Sequence, residues 1–153
     1  MKSLCFISRI LILILFVGLT VTPLYGKDDK VRPKDPGVYV KTDKSLVRLL
    51  PNMVFDEEGF LYIESNKPKR FVLKDIEYFV IFGKYEMNVL TLNPLLFFKT
   101  SPVGKPQFIF GKNNEINVIN KGADLYTIKP KVLIGRGYFC LWIEDTVWDF
   151  IIE

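Results

Sequence analysis

Histidine is absent from the 153-residue sequence. That removes the side chain that most often moves protons near neutral pH, with the serine–histidine and cysteine–histidine nucleophile pairs and most zinc and copper sites. Of the two cysteines, Cys5 lies in an apolar leader, and Cys140 alone builds no thiolate metal site. Carboxylates remain. Asp56-Glu57-Glu58 and Glu144-Asp145 with Asp149 form two acidic clusters, and paired carboxylates hydrolyse glycosides or hold calcium through oxygen ligands. Both clusters also read as ordinary turns, with acidic residues placed before Gly59 and Thr146. Neither has the alternating Asp/Asn spacing of a calcium loop. No phosphate-cradling glycine motif occurs, and Gly135-x-Gly137 precedes a strand-like run rather than a helix. The expectation is no catalytic residue, no metal and no cofactor.

Two features point to binding instead. Lys67, Lys69 and Arg70, followed by Phe71, are the densest basic patch. Such a patch grips an acidic polymer or lipid headgroups while the ring stacks or inserts; its plainer reading is a solvated loop before a strand. Trp142 and Trp148 stand on facing strands of one hairpin. They form a carbohydrate or peptide platform only if the register sets them on one face, and otherwise they pack the core.

The elements carrying these residues are short and β-rich. From Gly37 onward, runs of Val, Ile, Phe, Tyr and Leu alternate with turn residues, and no segment sustains a 3.6-residue period. Residues 37–41 and 45–50 read as a hairpin, as do 53–55 and 60–63 around the acidic turn. The run 76–82 is apolar on both faces apart from Glu77, which predicts a central strand. Pro94 argues against a central strand through 88–100. Strands are expected at 107–110, 116–119 and 125–128, then a terminal hairpin of 138–143 and 147–152 through Glu144-Asp145-Thr146. About eight to ten short strands with spacings too brief for crossover helices predict an all-β, antiparallel β-sandwich or small barrel.

Ahead of this stands a different texture. Lys2 and Arg9 precede the apolar run Ile10–Leu19, and Pro23 and Gly26 precede the charged Lys27-Asp28-Asp29-Lys30. These are the parts of a cleavable secretory signal, cut after Gly26. The alternative is a retained membrane anchor, although the run falls short of the roughly 20 apolar residues a span needs. Residues 27–36, with Pro33 and Pro36, read as a flexible lead-in, and 37–153 as one β domain. The leader carries two cations and no carboxylate, so its removal lowers the net charge from +4 to +2. That is too small a bias to predict a nucleic-acid partner. Cys140, the one cysteine outside the leader and set beside Phe139, Leu141 and Trp142, is expected to be buried.

Gly135-Arg136-Gly137-Tyr138-Phe139-Cys140 resembles the corner motif of immunoglobulin-like domains, where a Tyr two residues before a Cys ties its hydroxyl to upstream backbone. The match spans six residues and lacks a second cysteine for the inter-sheet bridge. Pro36–Val40 and the closing Gly-x-Gly-Tyr also look similar to small uncharacterised exported bacterial β proteins. The resemblance implies a sandwich and carries no activity.

The functional expectation is an exported, periplasmic or extracellular, non-enzymatic domain that binds or scaffolds another envelope or extracellular protein. One place for that contact is the free edge of the terminal hairpin along Val147–Ile152. Membrane contact is expected only if the leader is retained, and the oligomeric state is open. The alternative is a small carbohydrate-binding module or carboxylate-dependent hydrolase, with a cleft lined by Asp56, Glu57 or Asp149 beside an aromatic face.

Overall fold

In a computed structural model that describes residues 32–65 and 67–153, the alternating apolar and turn residues resolve into twelve strands and two single 3-10 turns. The expected signal at 1–26 and the expected lead-in as far as residue 31 lie outside the described residues. The fold is all-β, in two sheets. The first is five-stranded and antiparallel throughout. Its members are β1 (Gly37–Thr42), β2 (Leu46–Arg48), β6 (Ile76–Phe82), β9 (Ile116–Gly122) and β10 (Leu125–Pro130), in the order β2-β1-β6-β10-β9. The run 76–82 is thus central, as its two apolar faces require.

The second sheet comprises β3 (Asn52–Glu57), β4 (Phe60–Glu64), β7 (Thr91–Thr100), β8 (Pro106–Phe110), β11 (Gly137–Ile143) and β12 (Thr146–Ile152). Their order β11-β7-β8-β4-β3-β12 is closed by the β11–β12 hairpin, so six strands form a small barrel. A short β5 (Lys69–Phe71) lies parallel to the end of β12. Closure leaves these six strands without a free edge, which removes a liability for unwanted pairing.

β11 and β12 are walls shared by two cores, which is why both read as nearly continuous apolar runs. Phe139, Leu141, Trp148, Phe150 and Ile152 face the first sheet and pack with Val38, Val40, Phe79, Ile81 and Ile128. Cys140 and Val147 face the barrel interior with Ile63, Leu95 and Phe108. Stacked pairs Phe108–Tyr138 at 4.7 Å and Phe110–Trp142 at 4.4 Å complete that second core. Each fully buried Phe or Ile contributes about 1.5–3 kcal/mol, so the cores carry the fold without a disulfide. Tyr138 meets the barrel core through its ring, and the Tyr39 hydroxyl donates to Asp35 O at 2.7 Å.

Two expectations are corrected. β12 offers no free edge for a partner: β11 runs along one side, while β3 and β5 share the other. And β7 is a central ten-residue strand that passes straight through Pro94. Gly111 N donates to Pro94 O at 2.8 Å, so the nitrogen of residue 94 faces the Gly111 carbonyl across a narrow antiparallel pair. Pro94 has no proton to give there. The Asn93 side-chain amide donates to that carbonyl instead, at 3.0 Å. Gly111 makes room as well, since a Cβ there would stand 2.8 Å from the Pro94 ring.

Candidate functional site

The hairpin register decides the tryptophan platform. Trp142 pairs with Val147 and Trp148 with Leu141, so the two indoles lie on opposite faces of the hairpin. Trp142 turns into the barrel, and its Nε1–H donates to the Glu144 carbonyl. Trp148 enters the inter-sheet core. A shared platform does not form.

In the basic segment Lys67, Lys69 and Arg70 are exposed, whereas Phe71 is buried against Phe150 and so neither stacks on nor inserts into a ligand. Arg70 is held by Glu153 through a charge-assisted hydrogen bond, which raises its pKa. Both cations of β5 stay exposed while Phe71 anchors the strand.

The acidic clusters also separate. Asp56 accepts from Gly59 N at 2.7 Å and closes its own turn. Asp149 is buried inside the barrel, where Ser65 Oγ donates to it at 2.6 Å and Asn52 Nδ2 approaches at 3.5 Å. Cys140 is its cross-strand partner. Burial pushes the Cys140 thiol far up, and the Asp149 charge pushes it further. A thiol held protonated is a poor nucleophile, and Ser65 meets a carboxylate without a proton-relaying base between them. This constellation serves the barrel interior. Among the described residues no three metal-ligating side chains converge.

Glu144 belongs elsewhere. With Glu86, Asp124, Tyr85, Tyr126 and Trp148 it lines a cleft of about 700 Å³ at the mouth between the sheets. Tyr85 meets Trp148 edge-on at 5.7 Å between ring centres. Burial raises the Tyr85 hydroxyl, Arg48 opposes the shift, and Tyr39 adds to it. The cleft brings aromatic rings together with carboxylates other than Asp56, Glu57 and Asp149, beside Lys84.

A row of exposed and half-exposed apolar side chains lies on the outside of the barrel. Register sets Phe55 opposite Tyr62, Tyr62 opposite Ile109, and Ile109 opposite Leu96, in one row across β3, β4, β8 and β7. Their inward neighbours Ile63, Phe108 and Leu95 are buried, while Phe55 is 39% and Leu96 53% exposed. Phe55 stacks on Tyr62 at 5.4 Å. Phe60 and Phe98 extend the surface, their rings 5.0 Å apart at 42% and 44% exposure. Sequence reading missed this face because apolar residues on both sides of a barrel wall look like those of a doubly covered strand. The signal was present in the near-absence of polar alternation along Phe60–Ile63 and Leu95–Phe98.

Comparison with models of protein families, with curated proteins and with solved structures finds no match to this chain.

Proposed function

We propose that this chain is an exported, non-enzymatic interaction domain of the cell envelope or extracellular space, which holds a protein partner against the outer face of its barrel. The row Phe55–Tyr62–Ile109–Leu96 carries this reading. Apolar side chains left in water forgo about 25 cal/mol for each Å², and a contiguous patch of this kind commonly marks a contact surface. The structural engagement of Asp56 and Asp149 supports a binding rather than a hydrolytic role. Export rests on the leader composition alone, and the intact mass of the protein recovered from its source cells checks it.

The functional test is a cross-linked pull-down of the tagged full chain from envelope and secreted fractions, beside a Phe55→Asp/Leu96→Asp variant. A protein captured reproducibly by the parent and lost by the variant is the expected result. An identical capture profile for both forms refutes the reading.

A second reading has its own observation, the Tyr85–Trp148 pair within the acidic cleft. It places a saccharide there, and a glycan titration followed by tryptophan fluorescence is its test. A Tyr85→Ala variant that responds to the same glycans as the parent refutes it.

A further inference from the structure

We infer that the partner this barrel face fits is a second copy of the same chain, arranged about a two-fold axis through the Phe60–Phe98 contact. The inference rests on the proposed reading of that face as an interaction surface.

The argument starts from one line of residues. Glu57 pairs with Phe60 across the β3–β4 hairpin, so both lie on the outer face. Phe60 meets Phe98, and the ammonium of Lys99 sits 5.1 Å from the centre of the Phe98 ring. The line therefore reads carboxylate, ring, ring, ammonium. Turned by half a revolution about its midpoint, it meets itself with the signs matched: Glu57 of each copy faces Lys99 of the other, and the four rings close the centre. An isologous two-fold contact demands this self-complementarity, whereas an unrelated partner would not require opposite charges at opposite ends.

The surroundings extend the same polarity. Beyond Glu57 the turn adds Glu58, and Lys112 follows β8 at that end. Beyond Lys99 stands Lys105, whose only carboxylate partner among the described residues is Glu64, at 3.4 Å.

Size agrees. A free Phe presents roughly 200 Å², so at the observed exposures Phe55, Phe60, Leu96 and Phe98, with the half-buried Tyr62 and Ile109, offer on the order of 400–500 Å² of apolar surface. A standard interface buries about 800 Å² on each partner, and about 57–65% of that is apolar. The patch is the apolar centre of one such contact, with the charges at its rim.

The test is sedimentation velocity of the purified chain without its leader, across a concentration series reaching about 0.1 mM, where a standard-size contact of even modest quality is populated. A monomer–dimer equilibrium is expected. Glu57→Lys and Lys99→Glu should each weaken it about tenfold, because each homodimer then carries two like-charged contacts. Mixing the two variants should restore dimers, since every rim contact between unlike copies is again opposite in sign. Phe98→Asp should leave a folded monomer, as the ring is outward-facing; an unchanged far-UV spectrum and melting point verify the fold.

A parent chain that stays monomeric throughout overturns the inference. So does a dimer that both single reversals leave unaffected, or one that the mixture fails to restore. If the chain is monomeric yet Phe55→Asp/Leu96→Asp still abolishes capture of another protein, self-association fails while the interaction reading stands. If that variant also leaves capture intact, both fail.

Discussion

The passage of β7 through Pro94 makes a prediction that can be worked through in energies. Asn93→Ala removes the amide that serves the Gly111 carbonyl. The lost bond and the carbonyl left without a donor cost about 1–3 kcal/mol. Part of that returns, because Asn93 Oδ1 is buried without a partner among the described residues and its burial is itself unfavourable. The net loss expected is about 1 kcal/mol. Pro94→Ala restores a backbone N–H aimed at the same carbonyl. In the parent that carbonyl is already served, so the new donor adds little, and loss of the rigid ring costs about 0.4–1 kcal/mol through the unfolded chain. In the Asn93→Ala background the new donor replaces the missing one and returns about 1 kcal/mol. The two substitutions should therefore couple favourably by about 1 kcal/mol, or roughly 4 °C in melting temperature for a domain of this size. Urea unfolding of the four forms, followed by the fluorescence of Trp142 and Trp148, measures it. Additivity within about 0.3 kcal/mol would refute the claim that the side-chain amide substitutes for the proline nitrogen.

Three further outcomes follow from the packing. Gly111→Ala should destabilise by about 1–3 kcal/mol, because its Cβ would meet the Pro94 ring at 2.8 Å and the Pro94 carbonyl at 3.2 Å; Pro94→Ala should recover much of the loss in thermal melts. Asp149→Ala leaves the buried Ser65 hydroxyl without its acceptor and should lower stability by about 1–3 kcal/mol, whereas Asp149→Asn, which keeps an acceptor oxygen, should lose less in the same denaturant titration. Cys140 should resist thiol reagents at pH 8 until denaturant is added, since burial keeps it protonated. Its folded pKa lies above the unfolded one, so the stability it contributes is complete below the ordinary thiol value near 9 and is lost as pH rises past it. Cys140→Ala should reduce the alkaline loss of stability by up to about 1.4 kcal/mol per pH unit, measured by unfolding at pH 9 and above.

Much of the architecture could be read from residue order alone. Val, Ile and aromatic runs broken at Gly59, Gly83 and Gly122 determine short strands, because only turn-forming residues reverse a chain within two or three positions. The apolar character of Ile76–Phe82 on both faces determines a central strand, since either face in water would be costly. The composition around Cys140 determines its burial.

Tertiary structure decided what no local pattern encodes. Pro94 reads locally as a strand breaker, and only the distant Asn93–Gly111 contact shows how its missing proton is replaced. The terminal hairpin reads as having an outer edge, and only the arrival of β3 and β5 shows that edge to be filled. The tryptophans turned on one register choice: a shift by one residue would have put both indoles on one face, because side chains alternate with a period of two. The candidate contact surface arose in the same way. Phe55 and Tyr62 lie far from Leu96 and Ile109 in the chain, and pairing of four strands from two hairpins sets them in a row. Sequence determines which residues prefer to leave water; closure of the barrel decides which of them remain in it, because a wall one strand thick has an inside and an outside and only one of them is a core.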